Sequence, residues 1–250
     1  MTEPLGSDAL YHDPRLADFY DIDNGWADDT RTCLDLARDA ASVLDLGCGT
    51  GLLAAACAEH GARVMGVDPA PAMLAIARVR PGGDRVTWVE GDGRTIRLDQ
   101  RFDLIVMTGH AFQCLLTDND QRATLATIAA HLAPQGRFIF DSRNPSGQEW
   151  LEWGPDDSHR VVEHARHGKV ESWNDYAYDA ATGIVTYGTY YRLGSGELLA
   201  AKSQIRFTPQ DHLAKLIAEA GLTVDQWRGD WQGNAYTPDS KEIIPLGRTR

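Results

Sequence analysis

The sequence has no run of 18 apolar residues, no apolar stretch behind its first methionine, and only four cysteines in 250 residues. The first two absences predict a protein that neither spans a membrane nor carries a secretory leader. Cys33, Cys48, Cys57 and Cys114 show no paired metal-ligand spacing and are too few for a disulfide scaffold, so no metal is expected and a reducing cytoplasm is. Basic residues are also short. Lys and Arg number 24 against 36 Asp and Glu, a net charge of −12, and that field repels nucleic-acid phosphates and anionic lipid. Neither nucleic acid nor membrane is therefore an expected partner. No internal repeat or low-complexity tract is present. What remains is an ordinary globular balance, 43% hydrophobic and 24% charged, in a chain long enough to bury roughly 70–75% of its unfolded surface.

From residue 42 to 141, short apolar runs alternate with longer stretches of helical period. The runs at 42–46, 62–67, 85–90, 102–107 and 136–141 read as strands buried on both faces. The helix after the fourth strand is expected to stop at Pro134 and Gly136. Strands alternating with helices imply a parallel, doubly wound α/β sheet. Residues 160–207 are rich in β-branched and aromatic side chains between glycine punctuation, as an antiparallel insertion after the fifth strand would be. Pro209 then opens a helix closed by Gly221, and two strand-like runs follow, making seven strands in the main sheet. The predicted division is 1–41 as a helical cover, 42–145 with 208–250 as the core, and 146–207 as an inserted lid. Amphipathic stretches near 14–20 and 27–39 are expected as helices across the open edge of the sheet.

The strongest local signal is VLDLGCGTG at 43–51, a buried strand running into Gly47, Gly49 and Gly51 and then into a helix. In an open α/β sheet the ligand lies at the carboxyl ends of the strands, so this turn belongs to a site. A dinucleotide fingerprint would need a glycine where Leu52 stands, and no Lys or Arg lies between 39 and 62. A phosphate is poorly served there, and a cationic or zwitterionic ligand is well served. Asp68 ends the second strand, 19 residues after Gly49, where an acid accepts from a ribose diol. Asp92 follows the third strand between Gly91 and Gly93, placed to meet an adenine amine. Any one of these acids suits a solvated loop or a helix cap equally well. Asp45, Asp68 and Asp92 at three consecutive strand ends point to one ligand.

VLDLGCGTG, VDPAPAML, EGDGRT, FDLIVMTGHAF and PQGRFIF, in that order, resemble the class I S-adenosylmethionine-dependent methyltransferases and their Rossmann-like fold. The resemblance implies that Asp45, Gly47, Cys48, Gly49 and Gly51 hold the methionine part of that cofactor. It implies Asp68 on the ribose with Pro69 and Met73 beside the nucleoside, Asp92 with Gly91 and Gly93 at the adenine, and Thr108, Gly109 and His110 as the wall between cofactor and acceptor. Tyr20 is expected to cap the cofactor. Methyl transfer from a sulfonium depends chiefly on holding donor and acceptor in line, and a base helps when the acceptor is a hydroxyl or a protonated amine. His110 is the candidate base, or a ring that packs passively on the site. Arg143 and Asn144 are candidates for binding the acceptor, or ordinary loop polars, with Trp26 and Gln113 further candidates.

The aromatics of the insertion, Trp173, Tyr176, Tyr178, Tyr187, Tyr190 and Tyr191, either roof a pocket or fill a core under the sheet. A cover built from both ends suits a small-molecule acceptor at N or O. The rival readings are a nucleotide-dependent oxidoreductase, opposed by Leu52, and a protein that binds the cofactor without turning it over.

Overall fold

The computed structural model describes residues 8–250. Four short helices come first: α1 (Ala9–His12), α2 (Pro14–Ala17), α3 (Tyr20–Asp23) and α4 (Asp28–Ala37). The Asp8 carboxylate caps α1 by accepting from the Leu10 N–H, and Asp13 caps α2 by accepting from Arg15, with Pro14 in the first turn. The helix expected over 14–20 is thus broken, because Phe19 turns inward and α3 starts anew behind it. The fourth helix is not across the open edge either. Its Cys33, Leu34 and Ala37 pack against Val43, Leu53, Cys57 and Leu104, which sets it on one face of the sheet.

The central sheet follows as β1 (Ser42–Leu46), α5 (Leu52–Glu59), β2 (Arg63–Asp68), α6 (Pro71–Val79), β3 (Thr87–Glu90), β4 (Phe102–Met107), α7 (Asp118–His131) and β5 (Leu132–Phe140). A two-residue β6 (Ser142–Arg143) comes next, then α8 (Pro155–Ser158) and a second sheet of β7 (Arg160–His164), β8 (Gly168–Asp179), β9 (Ile184–Arg192) and β10 (Leu198–Arg206). The chain closes with α9 (Gln210–Glu219), β11 (Leu222–Arg228) and β12 (Glu242–Thr249). Strand order in the main sheet is β11-β12-β5-β4-β1-β2-β3, with β6 also on β12. Strands β1 to β5 run parallel, β12 returns antiparallel to β5, and β11 pairs antiparallel with β12 and so runs in the direction of β1 to β5. A mostly parallel sheet of seven strands is what the sequence predicts, and β6 is an addition to it.

The fifth strand starts four residues earlier than expected. Its ladder to β4 jumps from Phe102–Leu132 to Leu104–Arg137, so 133–136 bulge out where a helix stop was predicted. The His131 ring ends α7, with Nε2 accepting from the Leu98 N–H at 2.8 Å and Nδ1 2.7 Å from the Thr127 carbonyl.

Alternate side chains of the buried strands feed two apolar layers, as strands covered on both faces must. Leu44, Ile105 and Phe138 meet α7 and α9 through Leu125, Ile128, Leu213 and Leu216. Val43, Leu104 and Ile139 meet α4 and α5. The second sheet, order β10-β9-β8-β7, rests one end of its inner face on Leu16 and Phe19 and the other on Trp150 and Phe207. No helix of the described residues is long and apolar enough to cross a membrane.

Candidate active site

Strand order reverses between β1 and β4, and a cavity of about 740 Å³ opens there over the carboxyl ends of the parallel strands. Its floor is the glycine turn, its sides are the ends of β2, β3 and β4, and its roof comes from α1, α3 and the second sheet. The Gly49 N–H donates to Asp68 Oδ2 at 2.8 Å, and the Ala70 N–H donates to Oδ1 at 2.8 Å. One buried carboxylate therefore ties two consecutive strand ends together and still borders the cavity. Burial pushes the Asp68 pKa up, and the two N–H donors hold it back. At φ +52°, Gly49 lies under the Tyr20 ring, 3.5 Å from where a Cβ would stand, so backbone is bare there.

The chain from 43 to 136 matches the family of methyltransferase domains. A Streptomyces protein, the cypemycin N-terminal methyltransferase, is 31% identical over 207 residues, covering 82% of each chain. The chain belongs to the class I S-adenosylmethionine-dependent methyltransferases. Two solved structures share its fold. An amino pentose methyltransferase from Micromonospora echinaspora, with S-adenosylmethionine bound, superposes with a TM-score of 0.70 at 22% identity over all of both chains. A sugar N-methyltransferase from Streptoalloteichus gives 0.75 at 19% identity over 99% of this chain and 98% of that one.

The site of this methyltransferase fits its cofactor, S-adenosylmethionine, on the charges present. A sulfonium and an ammonium call for carboxylate and carbonyl oxygens, and a diphosphate would call for a free cation. Arg80 does reach the glycine turn through space, its Nε donating to the Thr50 carbonyl at 2.8 Å, but its guanidinium is spent on Asp21 at 2.5 Å. The glycine turn supplies no cation of its own, and the Arg80 guanidinium bonded to it is already paired.

Of the residues predicted for the cofactor, Tyr20, Gly47, Gly49, Asp68, Pro69, Met73, Gly91, Asp92, Gly93, Gly109 and His110 border the cavity. Asp45, Cys48, Gly51 and Thr108 do not. Asp45 is 2% exposed beneath α5, where it accepts from the Ala54 N–H, and burial with the neighbouring Asp68 charge lifts its pKa to about 7. Gly51 is needed for packing, because a Cβ there would come within 2.3 Å of the Trp88 ring. Cys48 turns toward Gly66, and Thr108 gives its carbonyl to the Ala111 N–H. Asp92 is at the predicted place but not free: Arg94 clamps both its oxygens at 2.5–2.9 Å, bridges to Asp120, and holds the Asp92 pKa down.

The acceptor candidates divide likewise. Arg143 borders the cavity, paired with Glu149 at 2.8 Å and 5.2 Å above the Trp153 ring. Gln113 is fully buried, donating to the Arg206 carbonyl and accepting from Arg143, so it fastens the second sheet to the site. The Asn144 amide is spent on the Pro238 and Ser240 carbonyls, and Trp26 lies on the surface outside the cavity. Of the six insertion aromatics singled out from the sequence, Tyr187 and Tyr191 border the cavity, and Trp153 of the same insertion borders it too. Trp173 and Tyr190 stack on each other, 5.3 Å apart, with Arg192 over Trp173, while Tyr178 stacks on Trp150 and Tyr176 packs on the core around Trp150.

The sequence reading did not single out Asp8, Cys114, Asp141 and Glu242. Asp8 and Cys114 line the cavity with Tyr11, whose hydroxyl lies 3.2 Å from that of Tyr187. Enclosure beneath the roof and then the charges of Asp8 and Asp68 push the Cys114 thiol pKa up, although the side chain stays exposed to the cavity. His110 stands at φ +59°, an uncommon conformation for a residue with a Cβ, pinned by its own N–H to Asp141 Oδ1 at 3.0 Å.

Proposed function

We propose that this methyltransferase places a methyl group on the amine nitrogen of a small molecule, held between the strand ends and a lid made of the N-terminal helices and the antiparallel sheet. The observation that carries this reading is the Asp8 carboxylate. Its Oδ1 accepts from Leu10 N–H and Ser203 Oγ, while its Oδ2 has no hydrogen-bond partner among the described residues, and the residue borders the cavity. An acceptor-side carboxylate suits an ammonium, the form in which an amine arrives at neutral pH. The chain's charge of −12 draws cations and makes polyanions such as nucleic acids poor acceptors. The names of the similar proteins, an N-terminal methyltransferase, an amino pentose methyltransferase and a sugar N-methyltransferase, support nitrogen as the target. A cytoplasmic setting fits four free cysteines.

S-adenosylmethionine supplies a methyl group on a positive sulfur that leaves as a neutral thioether. Asp68 and the bare Gly47 and Gly49 backbone hold that cofactor, and Tyr20 covers it. Tyr11, Tyr187 and Tyr191 close the roof against water, which preserves alignment and strengthens the ionic contacts beneath. Asp8 anchors the acceptor's cation, and His110 takes the proton that must leave before the nitrogen lone pair is free.

Incubation with S-adenosylmethionine and matched amines and alcohols, read by mass spectrometry, tests the reading. Methylated amine formed one-for-one with S-adenosylhomocysteine is expected. Methylation of alcohols alone would overturn the amine assignment. Tight S-adenosylhomocysteine binding without turnover on any acceptor would favour a sensor.

A further inference from the structure

His110 sits 132 residues before Glu242, yet its Nε2 lies 3.0 Å from Glu242 Oε1 and 3.6 Å from Asp141 Oδ2. We infer that Glu242, with Asp141, is a positioning residue that makes Nδ1 of His110 the atom accepting the substrate's proton. This rests on the methyl-transfer reading above and adds to it the choice of nitrogen and the residues that impose it.

An ionised carboxylate can only accept, so the nitrogen between two of them carries hydrogen. The neutral ring then has its lone pair on Nδ1. That atom has no partner among the described residues and is not buried, and the ring borders the cavity. The backbone fixes the ring further. The Asp141 carboxylate, just past β5, takes the His110 N–H with Oδ1 and turns Oδ2 toward Nε2. Glu242 opens β12 opposite Arg143, so the sheet's antiparallel return brings it to the end of β4.

The cluster has an unusual feature. Asp141 Oδ2 and Glu242 Oε2 are buried without any hydrogen-bond donor among the described residues. Leaving such oxygens unpaired is costly in a resting protein, and the cost falls when a cation forms next to them. Charges facing the ring come from three elements: Asp141 after β5, Glu242 in β12 and Arg143 in β6, with Asp29 acting on Asp141 from behind. Burial pulls the imidazole pKa down and Arg143 opposes the cation. The two carboxylates outweigh both, and the net direction is upward from 6.5. Arg143 is partly drawn off by Glu149 and Gln113.

In the proton step one N–H bond of the acceptor breaks and its electron pair stays on the acceptor nitrogen. An Nδ1–H bond forms, and neutral His110 becomes a cation facing Glu242. Water takes the proton after product leaves, so no oxidant or other reactant is required.

The test is Glu242→Gln, which keeps the shape and removes the charge, alongside Glu242→Asp. In Glu242→Gln, kcat should fall about 10-fold to 100-fold, with the acceptor KM within about twofold. The acid limb of the kcat/KM profile should move to lower pH, and Glu242→Asp should restore part of the rate. Histidine-labelled protein with S-adenosylhomocysteine bound supplies a readout independent of turnover. Wild-type His110 should titrate above its position in Glu242→Gln, and its neutral ring should carry hydrogen on Nε2. A neutral ring protonated at Nδ1, an unchanged His110 titration, or activity that follows added divalent metal and is lost to chelator would each overturn the assignment. If no acceptor is turned over, the function reading fails on its own, and the titration still decides the tautomer.

Discussion

The Asp23 carboxylate accepts a 2.5 Å hydrogen bond from the buried hydroxyl of Tyr191, tying the last residue of helix α3 to the middle of the antiparallel sheet. Its other oxygen takes Arg160 at 2.5 Å. Two residues earlier, Asp21 accepts from Thr50 and Arg80 at 2.5 Å each, on the cofactor side. One turn of helix therefore joins the antiparallel sheet to the glycine turn, with Tyr20, just before Asp21, over Gly49. Charge-assisted bonds of this kind contribute about 1.5–3 kcal/mol when sheltered and less when exposed.

The first prediction is that the two clamps separate functionally. Asp23→Asn should raise the acceptor KM by about 5-fold to 50-fold, with S-adenosylhomocysteine affinity within about threefold. Asp21→Asn should do the reverse. Steady-state kinetics and calorimetry read both, and equal effects of the two changes on both ligands would show that helix α3 acts as one undivided lid.

The second prediction concerns the acids at the second and third strand ends. Asp68→Ala should weaken S-adenosylhomocysteine binding about 100-fold, because it removes a buried acceptor and leaves the Gly49 and Ala70 N–H groups without their partner. Asp92→Ala should cost about 10-fold or less, since its carboxylate is already engaged by Arg94. Calorimetry checks the order, and a larger loss for Asp92→Ala would mean that Arg94 swings away when the adenine binds.

The third prediction is that Asp8→Asn raises the acceptor KM about 10-fold to 100-fold and leaves cofactor affinity unchanged. The loss should be greatest where the acceptor is an ammonium and should shrink above the acceptor's own pKa. A permanently neutral acceptor methylated equally well by both proteins would agree with this, and a pH-independent loss on an amine would not.

Much of this was legible because the relevant spacings are local. Gly49 and Asp68 lie 19 residues apart, one helix and one strand, and a right-handed crossover brings them to 2.8 Å. For the same reason Asp68, Asp92, Gly47 and Gly49 come to one cavity, although Asp45 turned under α5 where the sequence placed it on the ligand. Which face a strand residue takes depends on register, and one residue inverts it. So Tyr191 roofs the cavity while its neighbour Tyr190 stacks outside on Trp173. Glu242 carries no local signal at all: it opens an apolar strand and reaches His110 only because β12 returns beside β5. Asn144 was misplaced for the converse reason, since its position past the fifth strand suits a ligand contact but its amide closes the loop at 238–240.

The last prediction follows from Asp45. It is 2% exposed, has no cationic partner among the described residues, and its pKa rises to about 7 from an ordinary 3.8 through burial and the Asp68 charge. An acid whose folded pKa is raised opposes folding once it must ionise. The penalty is absent below about pH 4, grows as pH rises from the unfolded value toward 7, and is complete above 7. Asp45→Asn keeps an oxygen for the Ala54 N–H and removes the charge. It should raise stability at pH 8 by an amount on the order of 1–3 kcal/mol, and the gain should fall away as pH is lowered toward 4. Thermal melts of both proteins across that range measure the difference directly. A gain equal at pH 5 and pH 8 would mean that Asp45 is already ionised in the folded protein at pH 5, so that its pKa is not raised, and a loss at pH 8 would mean that its charge is held by a partner the folded site supplies. Because Asp45 does not border the cavity, S-adenosylhomocysteine affinity should stay within about threefold of wild type, so the stability gain comes without loss of the cofactor.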